Sequence, residues 1–185
     1  MTESTLLHEL ISCTAARRPQ AAALTSGSAV LTYMELAAQV SQFACGLMGL
    51  GLARGDRVAI YLEKRFETVI ASFGAPAAGA VFVPVNPLLK PEQVAFILRD
   101  CNVRVLVTSP ERLALLGEVL TDCHDLQHVV VTAAAAGSSA VGVHADSRLE
   151  LTSWTDLLGS PERPGHRVID SDMVAILYTS GSTGK

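Results

Sequence analysis

Met173-Val174-Ala175-Ile176-Leu177-Tyr178-Thr179-Ser180-Gly181-Ser182-Thr183-Gly184-Lys185 runs from an apolar stretch into a turn of small, hydroxylated and glycine residues. The unbroken apolar run from Met173 to Leu177 reads as a buried strand. The turn after it suits an anion. Gly181 and Gly184 permit backbone conformations that bring successive N–H groups onto one phosphate. The hydroxyls of Thr179, Ser180, Ser182 and Thr183 add short donors, and Lys185 adds charge. Thr179, Ser180, Gly181, Ser182, Thr183, Gly184 and Lys185 are therefore the candidate phosphate-binding residues. The competing reading is a plain strand-to-helix turn rich in serine and glycine. The common nucleotide P-loop is excluded, because its first glycine would fall at Thr179 and no Ser or Thr follows Lys185. The dinucleotide fingerprint is excluded as well, since the glycines here are spaced G-x-x-G.

Upstream, short β-rich runs alternate with helical patterns. Val58–Leu62, Val81–Val83, Val103–Val107 and Gln127–Thr132 read as strands. Phe66–Ala78, Glu92–Cys101 and a segment from Pro110 to about Leu120 read as helices between them. Pro91 and Ser109-Pro110 mark helix starts, with proline at the first helical position. Pro76 falls near a helix end, where a lost hydrogen bond costs least. This alternation predicts βαβ units and a largely parallel sheet in an α/β fold. Before it, Thr5–Arg18 reads as a helix with Leu6, Leu7, Leu10, Ile11 and Thr14 as its stripe. Ala23–Thr25 and Ala29–Leu31 flank Ser26-Gly27-Ser28 as a small hairpin. Thr32 and Glu35 form a capping box for a helix reaching about Leu50, with Leu36, Val40, Phe43, Leu47 and Leu50 on one face. After the fourth strand, residues from about 133 to 148 have no period and read as a flexible surface loop. Ser153–Leu158 then reads as a short helix carrying Trp154, and Ser160–Arg167 as a linker.

Composition limits the function classes. The chain has 185 residues, 49% hydrophobic and 17% charged, which is ample material for a core. Aromatics are 5%, so that core is built from Ala, Val and Leu. A net charge of −4 with no basic run argues against a nucleic-acid partner. Cys13, Cys45, Cys101 and Cys123 form no C-x-x-C pair. Cys45 and Cys101 lie in apolar helical patterns and read as buried thiols. With no basic, apolar N-terminal leader, a reducing cytoplasm is the expected setting. Thr68–Leu89 is uncharged and long enough for a bilayer, but its prolines and glycines break it into helix, strand and turn, so no membrane span is expected.

Other candidates are weaker. His124 and His128 bridge a helix end and a strand, with no third metal ligand nearby. Asp170 and Asp172 read as solvated loop residues before the last strand. No G-x-S-x-G elbow is present.

With the loop as anchor, the chain resembles the AMP-forming adenylating enzymes: acyl-CoA synthetases, luciferases and peptide-synthetase adenylation domains. Tyr178 to Lys185 looks like their phosphate loop. Leu31-Thr32-Tyr33-Met34-Glu35-Leu36, Gly55-Asp56-Arg57-Val58, and Ala78-Gly79-Ala80 through Val83-Pro84-Val85-Asn86-Pro87 are similar to earlier family motifs, in the same order. Asn86-Pro87-Leu88-Leu89-Lys90 resembles most the acyl-CoA ligases of exosortase gene systems. The resemblance implies an ATP-dependent carboxylate–CoA ligase. A carboxylic acid and Mg²⁺-bound ATP would give an acyl-adenylate and pyrophosphate, and coenzyme A would then displace AMP. It implies that Thr179 to Thr183 hold the β- and γ-phosphates, while Lys185 occupies a variable family position. It also implies that residues 1–185 are a partial N-terminal AMP-binding domain, with the phosphate loop 178–185 at its end and no catalytic residue of its own. The expectation is an inactive, poorly soluble fragment. The alternative is a non-catalytic α/β interaction module derived from that fold.

Overall fold

The computed structural model describes residues 6–133 and 148–179. Its centre is a five-stranded, all-parallel sheet formed by β3 (Arg57–Tyr61), β4 (Val81–Pro84), β5 (Val103–Thr108), β6 (His128–Val131) and β7 (Glu150–Ser153). The spatial order is β4-β3-β5-β6-β7. Helices α3 (Phe66–Ala77), α4 (Pro91–Asp100) and α5 (Pro110–Leu116) connect successive strands. A parallel sheet with helical crossovers has both faces covered, so its inner strands are apolar at consecutive positions rather than alternate ones. β3 and β5 obey this, being buried almost throughout.

Side chains alternate between two cores. Val58 and Ile60 of β3, with Val105 and Val107 of β5, join Phe43, Leu47, Ile70 and Trp154 on one face. Ala59, Tyr61 and Leu106 join Val94, Ile97, Leu98, Leu113 and Leu116 on the other. The first face is covered by α2 (Tyr33–Gly49), α3 and α6 (Trp154–Leu158), and the second by α4 and α5.

Thr32 caps α2 as expected. Glu35 N donates to Thr32 Oγ1 at 3.3 Å, and Thr32 N donates to the Glu35 carboxylate at 2.8 Å. Before it, β1 (Ala22–Ser26) and β2 (Ala29–Thr32) form the predicted hairpin, turning at Gly27 with φ +58°. The uncharged stretch Thr68–Leu89 is divided between α3, β4 and the following turn. No helix among the described residues is long and apolar enough to cross a membrane.

Several expectations need correction. α1 spans Glu9–Arg17, and Leu10 is half exposed rather than part of the stripe. α5 ends at Leu116 and continues as a 3₁₀ turn, Gly117–Asp122, because Gly117 takes φ +27° and breaks the α ladder. Cys45 is only half-buried, while Cys123 is buried, like Cys101, in the apolar interior. β7 was not anticipated: Glu150-Leu151-Thr152-Ser153 is a short edge strand with one apolar residue, too little pattern to recognise. Most of the loop expected over residues 133–148 lies outside the described residues.

Candidate functional site

The run expected to be a buried strand, Met173–Leu177, lies against the outer edge of β4. Phe82 N donates to Val174 O at 3.0 Å, and Ile176 N donates to Phe82 O at 3.1 Å. These two bonds make one parallel bridge, Phe82 to Ala175, and no longer ladder. Ile176 and Tyr178 pack on the second core, whereas Met173 and Leu177 are 64% and 68% exposed. The expectation of burial is therefore corrected. β4 is the last regular strand on this side, and no described element pairs with the far edge of the segment. The apolar run signals a strand with neighbours on both sides, and among the described residues it has one, β4.

Both ends of the segment are tied to the body. Asp172, expected to be solvated, is held by Arg54: Arg54 Nε donates to Asp172 Oδ2 at 3.1 Å, and Arg54 Nη2 pairs with Oδ1. Ile169 N also donates to Asp172 Oδ2, at 3.1 Å. The Arg54 hydrogen bonds and the Ile169 N–H hold the Asp172 carboxyl below the usual carboxylate range. Asp170 is exposed, as expected. Just upstream, His166 Nε2 donates to Leu52 O at 2.9 Å. At the other end, the Tyr178 hydroxyl donates to Asp100 Oδ2 at the C-terminus of α4, and Cys101 Sγ lies 3.3 Å from the phenol oxygen. Burial, then the bond to Asp100, push the Tyr178 phenol well above the usual tyrosine range. It is a neutral donor at all physiological pH values.

Thr179 is exposed and is the last described residue. Ser180, Gly181, Ser182, Thr183, Gly184 and Lys185 lie outside the described residues. The donor set in the sequence remains one of hydroxyls, backbone N–H groups and an ammonium. The nearest preceding carboxylate, Asp172, is already engaged by Arg54. An anion there would meet no side-chain carboxylate from residues 173–185.

A second cluster, not recognised from sequence, occupies the carboxyl ends of β3 and β5. β4 lies to one side of β3, and β5, β6 and β7 to the other, so the chain reverses its direction of travel across the sheet at β3/β5. Such switch points open crevices in doubly wound sheets. Here Arg112 spans the opening. It pairs with Glu63 at 2.6 Å, donates to Pro87 O at 2.6 Å and lies 4.9 Å over the Tyr61 ring. Burial is the largest influence on Glu63 and opposes its charge, but the Arg112 hydrogen bond, a backbone hydrogen bond and the positive charges of Arg112 and Arg65 together keep this carboxyl below its usual range. The sequence signal was position alone: Tyr61 ends β3, Glu63 and Pro87 fall just past β3 and β4, and Arg112 sits in the first turn of the helix after β5. His124 is exposed in a turn, and His128 faces Glu150 across β6 and β7 at 3.3 Å. No trio of His, Cys, Asp and Glu among the described residues is placed to hold a metal.

Comparison with known proteins places this geometry. Residues 12–185 match the model of the family described as AMP-binding enzyme. Surfactin synthase subunit 2 of Bacillus subtilis (strain 168) is 31% identical over 186 residues, covering 100% of this chain and 4% of that protein. Acetyl-coenzyme A synthetase of Syntrophobacter fumaroxidans is 34% identical over 169 residues, covering 85% of this chain and 25% of that protein. The crystal structure of the anthranilate CoA ligase AuaEII in complex with anthranoyl-AMP superposes with a TM-score of 0.81 at 26% identity. That match covers 97% of this chain and 32% of the solved one. The chain thus spans a third or less of each of these proteins.

Proposed function

The chain belongs to the family of AMP-binding enzymes, and from that premise we propose that it supplies the phosphate-gripping part of an ATP-dependent carboxylate–CoA ligase. What supports the reading is the sequence Tyr178–Lys185, which follows directly on a segment bridged to an all-parallel α/β sheet. In this proposal Thr179, Ser180, Gly181, Ser182 and Thr183 hold the β- and γ-phosphates of ATP. Their N–H and O–H donors stabilise the charge that develops on pyrophosphate as a carboxylate attacks the α-phosphate. Gly184, with Gly181, supplies the backbone freedom that brings successive N–H groups onto one anion, and Lys185 adds positive charge. Magnesium would arrive on the nucleotide's phosphates, and coenzyme A would take the acyl group from the adenylate in a second step. The unpaired state of the four cysteines is in keeping with a reducing, cytoplasmic setting.

Because the chain spans only part of its relatives, the proposal separates binding from turnover. Calorimetric titration with Mg·ATP and with inorganic pyrophosphate is expected to show weak binding, abolished by Gly181→Val together with Gly184→Val. Pyrophosphate exchange by the chain alone is expected to stay at the level of a protein-free blank. No binding by the native chain, or binding indifferent to the double glycine substitution, would remove the phosphate-loop reading. Exchange above the blank would overturn the separation.

A further inference from the structure

We propose that Asp100 and Cys101 position the phosphate loop by anchoring Tyr178, the residue immediately before Thr179. This rests on the reading of residues 179–185 as a phosphate loop. The segment leading into that loop has two backbone bonds to β4 and an open outer edge. By itself that is a weak hold, because single edge pairings open readily. The exit of the segment is instead fixed by a side chain. The Tyr178 hydroxyl donates to Asp100 Oδ2, and Cys101 Sγ, 3.3 Å away, is left to donate to the phenol oxygen.

The anchor point is itself immobilised. Arg57, the first residue of β3, donates Nη2 to Asn102 O at 2.7 Å and Nε to Cys101 O at 2.5 Å. Asn102 in turn donates to Asp125 at 2.9 Å. The end of α4 is thus bonded to the first residue of a core strand, and Tyr178 inherits that rigidity. Fixing the residue at which a binding segment begins lowers the ordering cost of binding, so loss of the anchor at Tyr178 is read as lost affinity. Asp100 makes no contact with an anion in this scheme. It acts only through Tyr178.

The test compares the native chain with Tyr178→Phe, Asp100→Ala, their combination, and Asp100→Asn, whose amide oxygen still accepts the phenol proton. Mg·ATP affinity is measured by calorimetry, and amide hydrogen exchange is followed over residues 179–185. Loss of one hydrogen bond corresponds to weakening of roughly fivefold in Tyr178→Phe and in Asp100→Ala. The combination is expected to be no worse than either alone, and Asp100→Asn close to native. Trp154 fluorescence melting is expected to be unchanged throughout, which a general structural role would not allow. Native affinity in Tyr178→Phe, or additive losses in the combination, overturns the anchor and leaves the phosphate loop standing. If the native chain does not bind Mg·ATP, the phosphate-loop reading fails and exchange decides the anchor. Faster exchange at 179–185 in Tyr178→Phe and Asp100→Ala, but not in Asp100→Asn, supports it. Unchanged exchange removes it.

Discussion

Gly79 has φ +78°, and a Cβ added there would stand 3.1 Å from Cβ of His166. Two costs therefore coincide at one position: a left-handed backbone and a crowded neighbour that carries the hydrogen bond to Leu52. Gly79→Ala is expected to destabilise by about 1–2 kcal/mol and to loosen the 160–172 segment. A denaturant titration read on Trp154 checks the first effect, and proteolysis near Gly165 the second. Arg54 and Asp172 give a pH dependence with a defined sign. The folded carboxyl titrates below its unfolded value of about 3.9. Its contribution is therefore complete above that value and is lost as pH falls through the lower folded value. A carboxyl-carbon NMR titration should find the Asp172 midpoint below that of a model peptide, and Arg54→Gln should move it upward. A normal midpoint in the native chain would contradict the pairing.

Between elements, α2 and α6 approach too closely for any side chain at Gly46. A Cβ there would meet Leu157 Cγ at 2.5 Å and the Leu157 carbonyl oxygen at 2.5 Å. The side chain could be trimmed, but the carbonyl could not. Gly46→Ala is thus expected to push α6 outward at a cost of about 1–3 kcal/mol, and Leu157→Ala should not rescue it. Because Trp154 of α6 lies 5.1 Å from the Phe43 ring, the displacement should also shift tryptophan emission. At the start of α2, Thr32→Ala removes the side-chain half of the capping box and should cost about 1 kcal/mol. Its circular-dichroism melt is expected to stay cooperative.

Across the whole molecule, the sheet ends in two different ways. β7 is short and carries Glu150 and Ser153. The Met173–Leu177 edge is apolar, with Met173 and Leu177 largely exposed and one side of the backbone unpaired among the described residues. Exposed apolar edges recruit further strands. The chain is expected to self-associate on concentration. Met173→Lys with Leu177→Lys should suppress this in light scattering without altering the Trp154 melt. A native chain that stays monomeric at high concentration would show that this edge is not adhesive.

Much of this fold was legible in the amino-acid order because its signals are local. Apolar periodicity marked β3, β4, β5 and β6. Proline and serine marked the starts of α4 and α5, and Thr32 with Glu35 marked α2. Each depends on a few neighbouring residues, and each survives whatever packs around it. Thr179–Lys185 stands as a candidate site on its sequence alone, because a phosphate-binding motif is read from consecutive residues. The order of residues could not contain adjacency between distant positions. The salt bridge joining Arg54 to Asp172, the hydroxyl of Tyr178 on Asp100, and Arg112 over Tyr61 link residues 118, 78 and 51 positions apart. The burial of Met173–Leu177 belonged to the same class. An apolar run states what a strand prefers, but only the number of strands beside it decides how much water it loses.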